Sequence, residues 1–289
     1  MAASRDPSPT LRRRRLTSRL RDLRAASGMS AAEVASRLGW DKNKPLYLES
    51  GQAKRPDPHD MERLAELYGV SDEQRQELVE LAKAARQKGW WHPYSTMLSR
   101  TFTTLIGLEA EADEVCGFEP SAVPGLLQTE AYAGALIAAG GPSNMPAEDV
   151  AARVEVRRER QRILHRPDAP ARLSVIVDEA AVHRIVGGPE VMRAQMEHLI
   201  ELMELPNITI GVLPFRAGAH PGVAGSFMIL QFADAADAPA VYVETIAGEL
   251  FIEDETDVAV YSNAFETLRG KALNRLDTIA VITAAAATM

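Results

Sequence analysis

The sequence predicts an α+β protein: an all-α domain of five helices, followed by a mixed α/β domain with one sheet. Three observations carry this. Residues 11–89 place apolar side chains at helical spacing, cut into pieces by caps and turn residues. Beyond residue 104, strand-like apolar runs alternate with helical segments, and Gly/Pro clusters separate them. Charge is divided as well: residues 1–56 hold 13 Lys/Arg against 5 Asp/Glu, whereas residues 96–289 hold 14 against 27, within a net charge of −8.

The chain's 289 residues suffice for two domains, each with its own core. We expect a flexible tail over 1–10, a helical domain over 11–89, a linker or wedge over 90–104 and an α/β domain over 105–289. No apolar run is long enough to span a bilayer, and the first ten residues lack the apolar core of a secretory signal. The single cysteine, Cys116, excludes an internal disulfide framework and fits a reducing cytoplasm. With acidic neighbours on both sides, it reads as a packed small hydrophobe.

Taken in order, the first helix is predicted from about Leu11 to Ala26, with Leu16, Leu20 and Leu23 on one face and Gly28 beyond its end. Arg12, Arg13, Arg14 and Arg15 then fall in its first turn, where the helix dipole disfavours cations. They do not serve the helix. A solvated charge run and contacts to phosphates both remain open. Ser30-x-x-Glu33 is a capping box, Val34, Ala35 and Leu38 make an apolar stripe, and Gly39 ends that helix. A short segment to Ser50 follows, closed by Gly51. Asp57-Pro58 is an N-cap with proline at the first helical position, ahead of Met61, Leu64, Leu67 and Tyr68. A second capping box, Ser71-x-x-Gln74, opens a helix with Leu78, Leu81 and Ala85 inward, ending at Gly89. Trp90 and Trp91 mark the boundary, as a wedge between domains or as an aromatic cage for a ligand or partner.

In the second domain, helices are expected near 105–115, 129–139, 147–165, 189–204 and 257–273, with strands at 173–177, 208–213, 227–232 and 241–246. Six arginines (Arg153, Arg157, Arg158, Arg160, Arg162 and Arg166) load one helix. Interleaved Glu155 and Glu159 make a solvated, salt-bridged face the expected reading, with an acidic partner as the alternative. Met192, Met196, Leu199 and Met203 form a stripe read as core.

Two short helices joined by a tight turn, inside the basic stretch, form a helix-turn-helix pattern. Leu20-Arg21-x-Leu23-Arg24, Ser30-x-x-Glu33, Gly39, Glu49-x-Gly51 and Pro56 together resemble an Xre-type, lambda-repressor-like domain over roughly residues 11–95. Phe118-Glu119-Pro120, Val123 to Thr129, Asp178-Glu179-Ala180, Val186 to Pro189, Leu213-Pro214-Phe215 and Gly218-x-His220 recur in order in a family of bacterial antitoxin-like transcriptional regulators. That resemblance implies a five-helix repressor-like domain joined to a large C-terminal domain of unassigned chemistry. It also implies double-stranded DNA as partner, a homodimer and a short partner protein encoded nearby.

The chain departs from the repressor-like pattern where DNA is read. The usual Thr-Gln pair opening the first helix is Ser30-Ala31, and the usual Ser-Gln-Ser-Lys-Ile-Ser-Arg-Ile-Glu is Asp41-Lys42-Asn43-Lys44-Pro45-Leu46-Tyr47-Leu48-Glu49. Pro45 lacks an N–H and disfavours helical angles at Lys44, so Asn43 is expected as cap of a helix of barely two turns. Leu46 is expected to be buried, with a thymine methyl as its other possible contact. The residues expected to face DNA are Arg12, Arg13, Arg14, Arg15, Ser30, Lys42, Asn43, Lys44, Tyr47, Lys54 and Arg55.

No catalytic constellation, metal cluster or cofactor fingerprint stands out, so the expectation is a non-enzymatic, cytoplasmic DNA-binding regulator without cofactor. His220, in a Gly/Pro-rich loop, is the best single candidate for a ligand-contacting or basic residue. Asp178 and Glu179 with His183 are read as a helix cap and a short helical turn, and Glu253-Asp254-Glu255 with Asp257 as an acidic cap at a helix start. Two alternatives stand: a protein-interaction adaptor with a degenerate helix-turn-helix, and a small-molecule sensor using the C-terminal domain.

Overall fold

A computed structural model describes residues 8–53, 55–141 and 145–289. The chain divides into two compact units, with the division between Pro93 and Tyr94.

The N-terminal unit contains, among the described residues, the helices α1 (Pro9–Ser27), α2 (Ala31–Leu38), α3 (Lys44–Glu49), α4 (Pro58–Tyr68) and α5 (Asp72–Ala85). Four of the five start on a side-chain cap; only α3 lacks one, its flanking residue Asn43 making no cap bond. Ser30 and Ser71 form the two capping boxes, and Asp57 accepts from His59 N–H. The tail expected over 1–10 is corrected at its end. Ser8 accepts from Thr10 N–H with Pro9 at the first helical position, so α1 starts two residues early. Arg12–Arg15 therefore lie beyond the first turn. Residues 1–7 and Lys54 lie outside the described residues.

Leu16 and Leu20 of α1, Val34 of α2, Leu48 of α3, Met61 and Leu64 of α4 and Leu78 of α5 converge on one core. Gly39, at φ +64°, lets the chain leave α2 in the left-handed conformation that a side chain resists. Its neighbour Trp40 returns an N–H to Ala35 O at 2.8 Å, closing the turn into α3.

The C-terminal unit runs α6 (Arg100–Glu109), β1 (Glu114–Glu119), α7 (Glu130–Gly140), α8 (Ala147–Gln161), β2 (Arg172–Asp178), α9 (Glu179–His183), α10 (Pro189–Leu202), β3 (Ile208–Leu213), β4 (Phe227–Gln231), β5 (Ala240–Thr245), β6 (Gly248–Ile252), α11 (Glu255–Lys271) and α12 (Arg275–Ala287). The strands form one sheet in the order β3-β2-β1-β4-β5-β6. β1, β2 and β3 are parallel, whereas β1/β4, β4/β5 and β5/β6 are antiparallel. The α+β class is the one observed.

The alternation of a strand sorts its side chains between two faces. Cys116, Phe118, Ile176, Phe227, Ile229 and Val241 join Val258, Phe265 and Leu268 of α11 in one core. Burial in that core pushes the Cys116 thiol up to about 12, helped by the nearby Glu114 charge. Gly222 sits so close to Phe118 that a Cβ there would lie 2.3 Å from its ring. The methionine stripe Met192, Met196 and Met203 is buried, and α10 packs against α12. Asp178 and Asp254 cap α9 and α11.

Three elements differ from expectation. The helix expected at 105–115 ends at Glu109, and β1 follows. Its acidic flanks resemble a helix surface, but Val115 to Phe118 are buried between β2 and β4. β6 was not expected; it returns from β5 through the tight turn at Ile246-Ala247, with Thr245 opposite Gly248. α12 was also missed, although Asn274 accepts from Asp277 N–H and an alanine-rich run follows.

Candidate functional site

In the N-terminal unit, α3 is a short helix with two unlike faces. Pro45, Leu48 and Glu49 are buried. Arg24 of α1 grips the Glu49 carboxylate through two nitrogens at 2.7 and 2.9 Å, which satisfies a charge that burial would otherwise make costly. The same carboxylate, after burial itself, holds Tyr68 up at about 12. Lys44 turns back across the turn: its Nζ lies 2.7 Å from Asp60 Oδ1 and 4.2 Å from the centre of the Trp40 ring. Pro45 is thus accommodated in the first turn, where its missing N–H is not needed.

The outward face carries Lys42, Asn43, Tyr47 and Ser50, all exposed. Leu46 is exposed too, at 51%, against the expectation that it is buried. Helical spacing is the reason: Leu48 and Pro45 take the inward positions, which leaves Leu46 beside Tyr47 on the outer side. Asp41 Oδ1 accepts from Asn43 N–H at 2.9 Å, so the approach to α3 is a fixed Asx turn.

The other expected contacts are distributed unevenly. Ser30 is at the exposed start of α2, but its hydroxyl is engaged with Glu33, and hydrogen bonds from the Ser30 backbone N–H and then from that hydroxyl hold the Glu33 carboxyl below its ordinary range. Arg55 is exposed. Arg12, Arg13, Arg14 and Arg15 are half-buried, and Arg13 donates to Ala85 O at 3.1 Å. Trp90 and Trp91 meet edge to face with centroids 5.8 Å apart, and the Trp91 ring is buried over Gly89.

In the C-terminal unit, His220 is mostly buried, with Nε2 3.8 Å from Asp178 Oδ2 and its ring edge-on to Phe118. Its Nδ1 has no partner. Glu179 Oε1 lies 3.7 Å from His183, while its Oε2 accepts from Phe215 N–H. Among the described residues no three His, Cys, Asp or Glu side chains converge as metal ligands.

A cavity of about 480 Å³ lies elsewhere, between α6, α7 and α8 and the sheet face opposite α11. Sequence reasoning missed it because α8 does not present its arginines as one solvated face. Arg158 and Arg162 do pair outward with Glu155 and Glu159 at 2.6 and 2.8 Å. Arg160, by contrast, is buried and makes a two-nitrogen pair with Glu109 of α6 at 2.7 Å each, its guanidinium 4.9 Å from the Phe102 ring centre. Arg153 donates to Met97 O and Arg166 to Ala110 O. Arg157 enters the cavity, where among the described residues its guanidinium makes one hydrogen bond, to the Gln128 side-chain oxygen. Burial and the neighbouring Arg160 lower it to about 10.

Glu119, at the end of β1, faces the same space as Tyr242 and Glu244 of β5. Burial, and then the Glu244 charge, push the Glu119 carboxyl up to about 8. The Tyr242 hydroxyl is buried without a partner and is strongly raised, mainly by burial. The one signal in the sequence was the Glu119/Tyr242/Glu244 set on strand positions of a single face, legible only once β1 is known.

Family models match both units. One described as a domain of unknown function (DUF5753) matches residues 102–284, and one described as a helix-turn-helix domain matches residues 15–78. No curated protein and no solved structure matches the chain.

Proposed function

The chain belongs to the DUF5753 family and carries a helix-turn-helix domain ahead of that region, and from this premise we propose that it is a DNA-binding transcriptional regulator. The observation that carries the reading is the division of α3: a buried side anchored by Arg24–Glu49, and an outer side free to enter a groove. With α3 in the major groove, Lys42 and Arg55 would bind the flanking phosphates, Asn43 would pair with an adenine edge, and Leu46 and Tyr47 would supply apolar contact to thymine methyls.

The finer reading follows the resemblance: an Xre-type, antitoxin-like, cytoplasmic protein acting as a homodimer, whose DUF5753 region sets dimer geometry or answers a short partner protein. It acts by binding and not by catalysis.

The test is fluorescence anisotropy of the full chain with DNA from upstream of its own gene, against scrambled DNA, at two salt concentrations. The reading requires preference for the upstream fragment and a steep loss of affinity with salt. Equal binding to both fragments, or none, favours a second reading, an adaptor that uses α3 for protein contact. Two adjacent exposed apolar side chains, Leu46 and Tyr47, support that alternative.

A further inference from the structure

The cavity of the C-terminal unit is lined by unlike charges that do not neutralise one another. Glu119 and Arg157 each lie close enough to feel the other's charge and that of Glu244. Yet among the described residues no ion pair joins them, and no hydrogen bond reaches either carboxylate. This is unlike the rest of α8. Arg160 has the Glu109 carboxylate, and Arg153 has the Met97 carbonyl oxygen. Arg157 has only a neutral amide. The Tyr242 hydroxyl, 5% exposed as a residue, has nothing. Glu244 keeps contact with solvent, but the half-buried Arg157 and Glu119 and the buried hydroxyl are costly to leave in this state unless something polar enters.

The apolar remainder of the wall is equally specific. Phe102, Ile137 and Val156 close one side, opposite the charged groups on the sheet. A volume of about 480 Å³ falls in the range of small-molecule sites. Residues at and just after the carboxyl end of β1 line the cavity, and at β1 the sheet changes from parallel to antiparallel pairing. Open α/β sheets gather ligands in such crevices.

We propose that this cavity binds a small zwitterion with an apolar side chain, an amino acid or a close relative. Its ammonium lies between Glu119 and Glu244, its carboxylate on Arg157, and its apolar part against Phe102, Ile137 and Val156. A simple amine would leave Arg157 without a counter-ion, and a simple carboxylate would leave Glu244 and Glu119 without a cationic partner. Only a molecule with both charges satisfies all three groups. The raised Glu119 adds a signature: near neutral pH it keeps its proton, and an arriving ammonium expels it.

The proposal does not rest on DNA binding and is tested without DNA. Isothermal titration of the full chain with each common amino acid, in buffers of different ionisation enthalpy, measures affinity and proton release together. Phenethylamine and 3-phenylpropionate serve as single-charge probes. At least one apolar amino acid is expected to bind at about 10 mM or below, with proton release and about tenfold more tightly than either probe. Glu244→Gln is expected to weaken it about tenfold. Tyr242→Phe removes only a hydroxyl, leaves the melting temperature unchanged or higher, and is expected to weaken binding several-fold. The proposal is overturned if no amino acid binds, if phenethylamine binds as well as phenylalanine, or if both variants bind as the parent does.

Discussion

Helices α3 and α8 use charge in opposite ways. α3, in the basic part of the chain, turns two apolar side chains outward and spends its lysine on Asp60 and Trp40 inside the domain. α8, in the acidic part, turns arginines inward: Arg160 onto Glu109, Arg157 into a cavity, and Arg153 onto a carbonyl. Residue type alone predicts the reverse in both cases. The difference teaches that direction is set by the available partner. Where a carboxylate or carbonyl waits in the interior, an arginine goes in. Where neighbouring positions have already filled the core, a leucine stays out.

The comparison breaks first at the Arg160–Glu109 pair, whose two side chains are almost wholly buried. Glu109→Gln leaves a buried guanidinium uncompensated and should cost about 3–5 kcal/mol. Chemical denaturation of the C-terminal unit would measure it, and a loss below about 1 kcal/mol would mean that α8 does not depend on the pair. At α3 the effect should fall on binding. Leu46→Ala with Tyr47→Ala should leave the melting temperature within a degree or so. If α3 docks on DNA, the same double variant lowers affinity about tenfold, or about 1.4 kcal/mol. A large loss of stability would instead place these side chains in a core.

Smaller effects sharpen the contrast. Ser30→Ala removes one half of a capping box and should cost about 1 kcal/mol, read in the melting of the N-terminal unit. At Glu119 the expectation concerns pH. Its folded pKa, about 8, lies above the unfolded value. Between the two the folded state holds the extra proton, so this group's contribution to stability falls as pH rises from about 4.5 to about 8. Glu119→Gln should remove that slope and be the more stable form at pH 8. A variant with the parent's pH profile would show that the carboxyl is ionised throughout.

Much of the N-terminal unit was legible because its signals are local. Ser30 with Glu33, Ser71 with Gln74, and Asp57 with Pro58 each declare a helix start within four residues. Ser8-Pro9 carries the same kind of signal and was passed over as tail. In the C-terminal unit the decisive partners are distant in sequence. Glu109 lies 51 residues from Arg160, and β1 pairs with residues near 175 and 228. No window of sequence displays such pairings, so β1, the inward arginines and the cavity they line stayed hidden. α12 is a different case: its cap at Asn274 was there to be read, but its alanines give little amphipathic pattern.

The three tryptophans, Trp40, Trp90 and Trp91, all fall before Tyr94. Indole emission is therefore a private channel to the helix-turn-helix unit, silent about the unit that holds the cavity. Trp40, with the Lys44 ammonium over its ring, reports from the turn that sets the pose of α3. Unfolding followed by fluorescence and by circular dichroism would separate the two units without cutting the chain. A small molecule that changed indole emission on entering the cavity would reveal communication between them, with no label added.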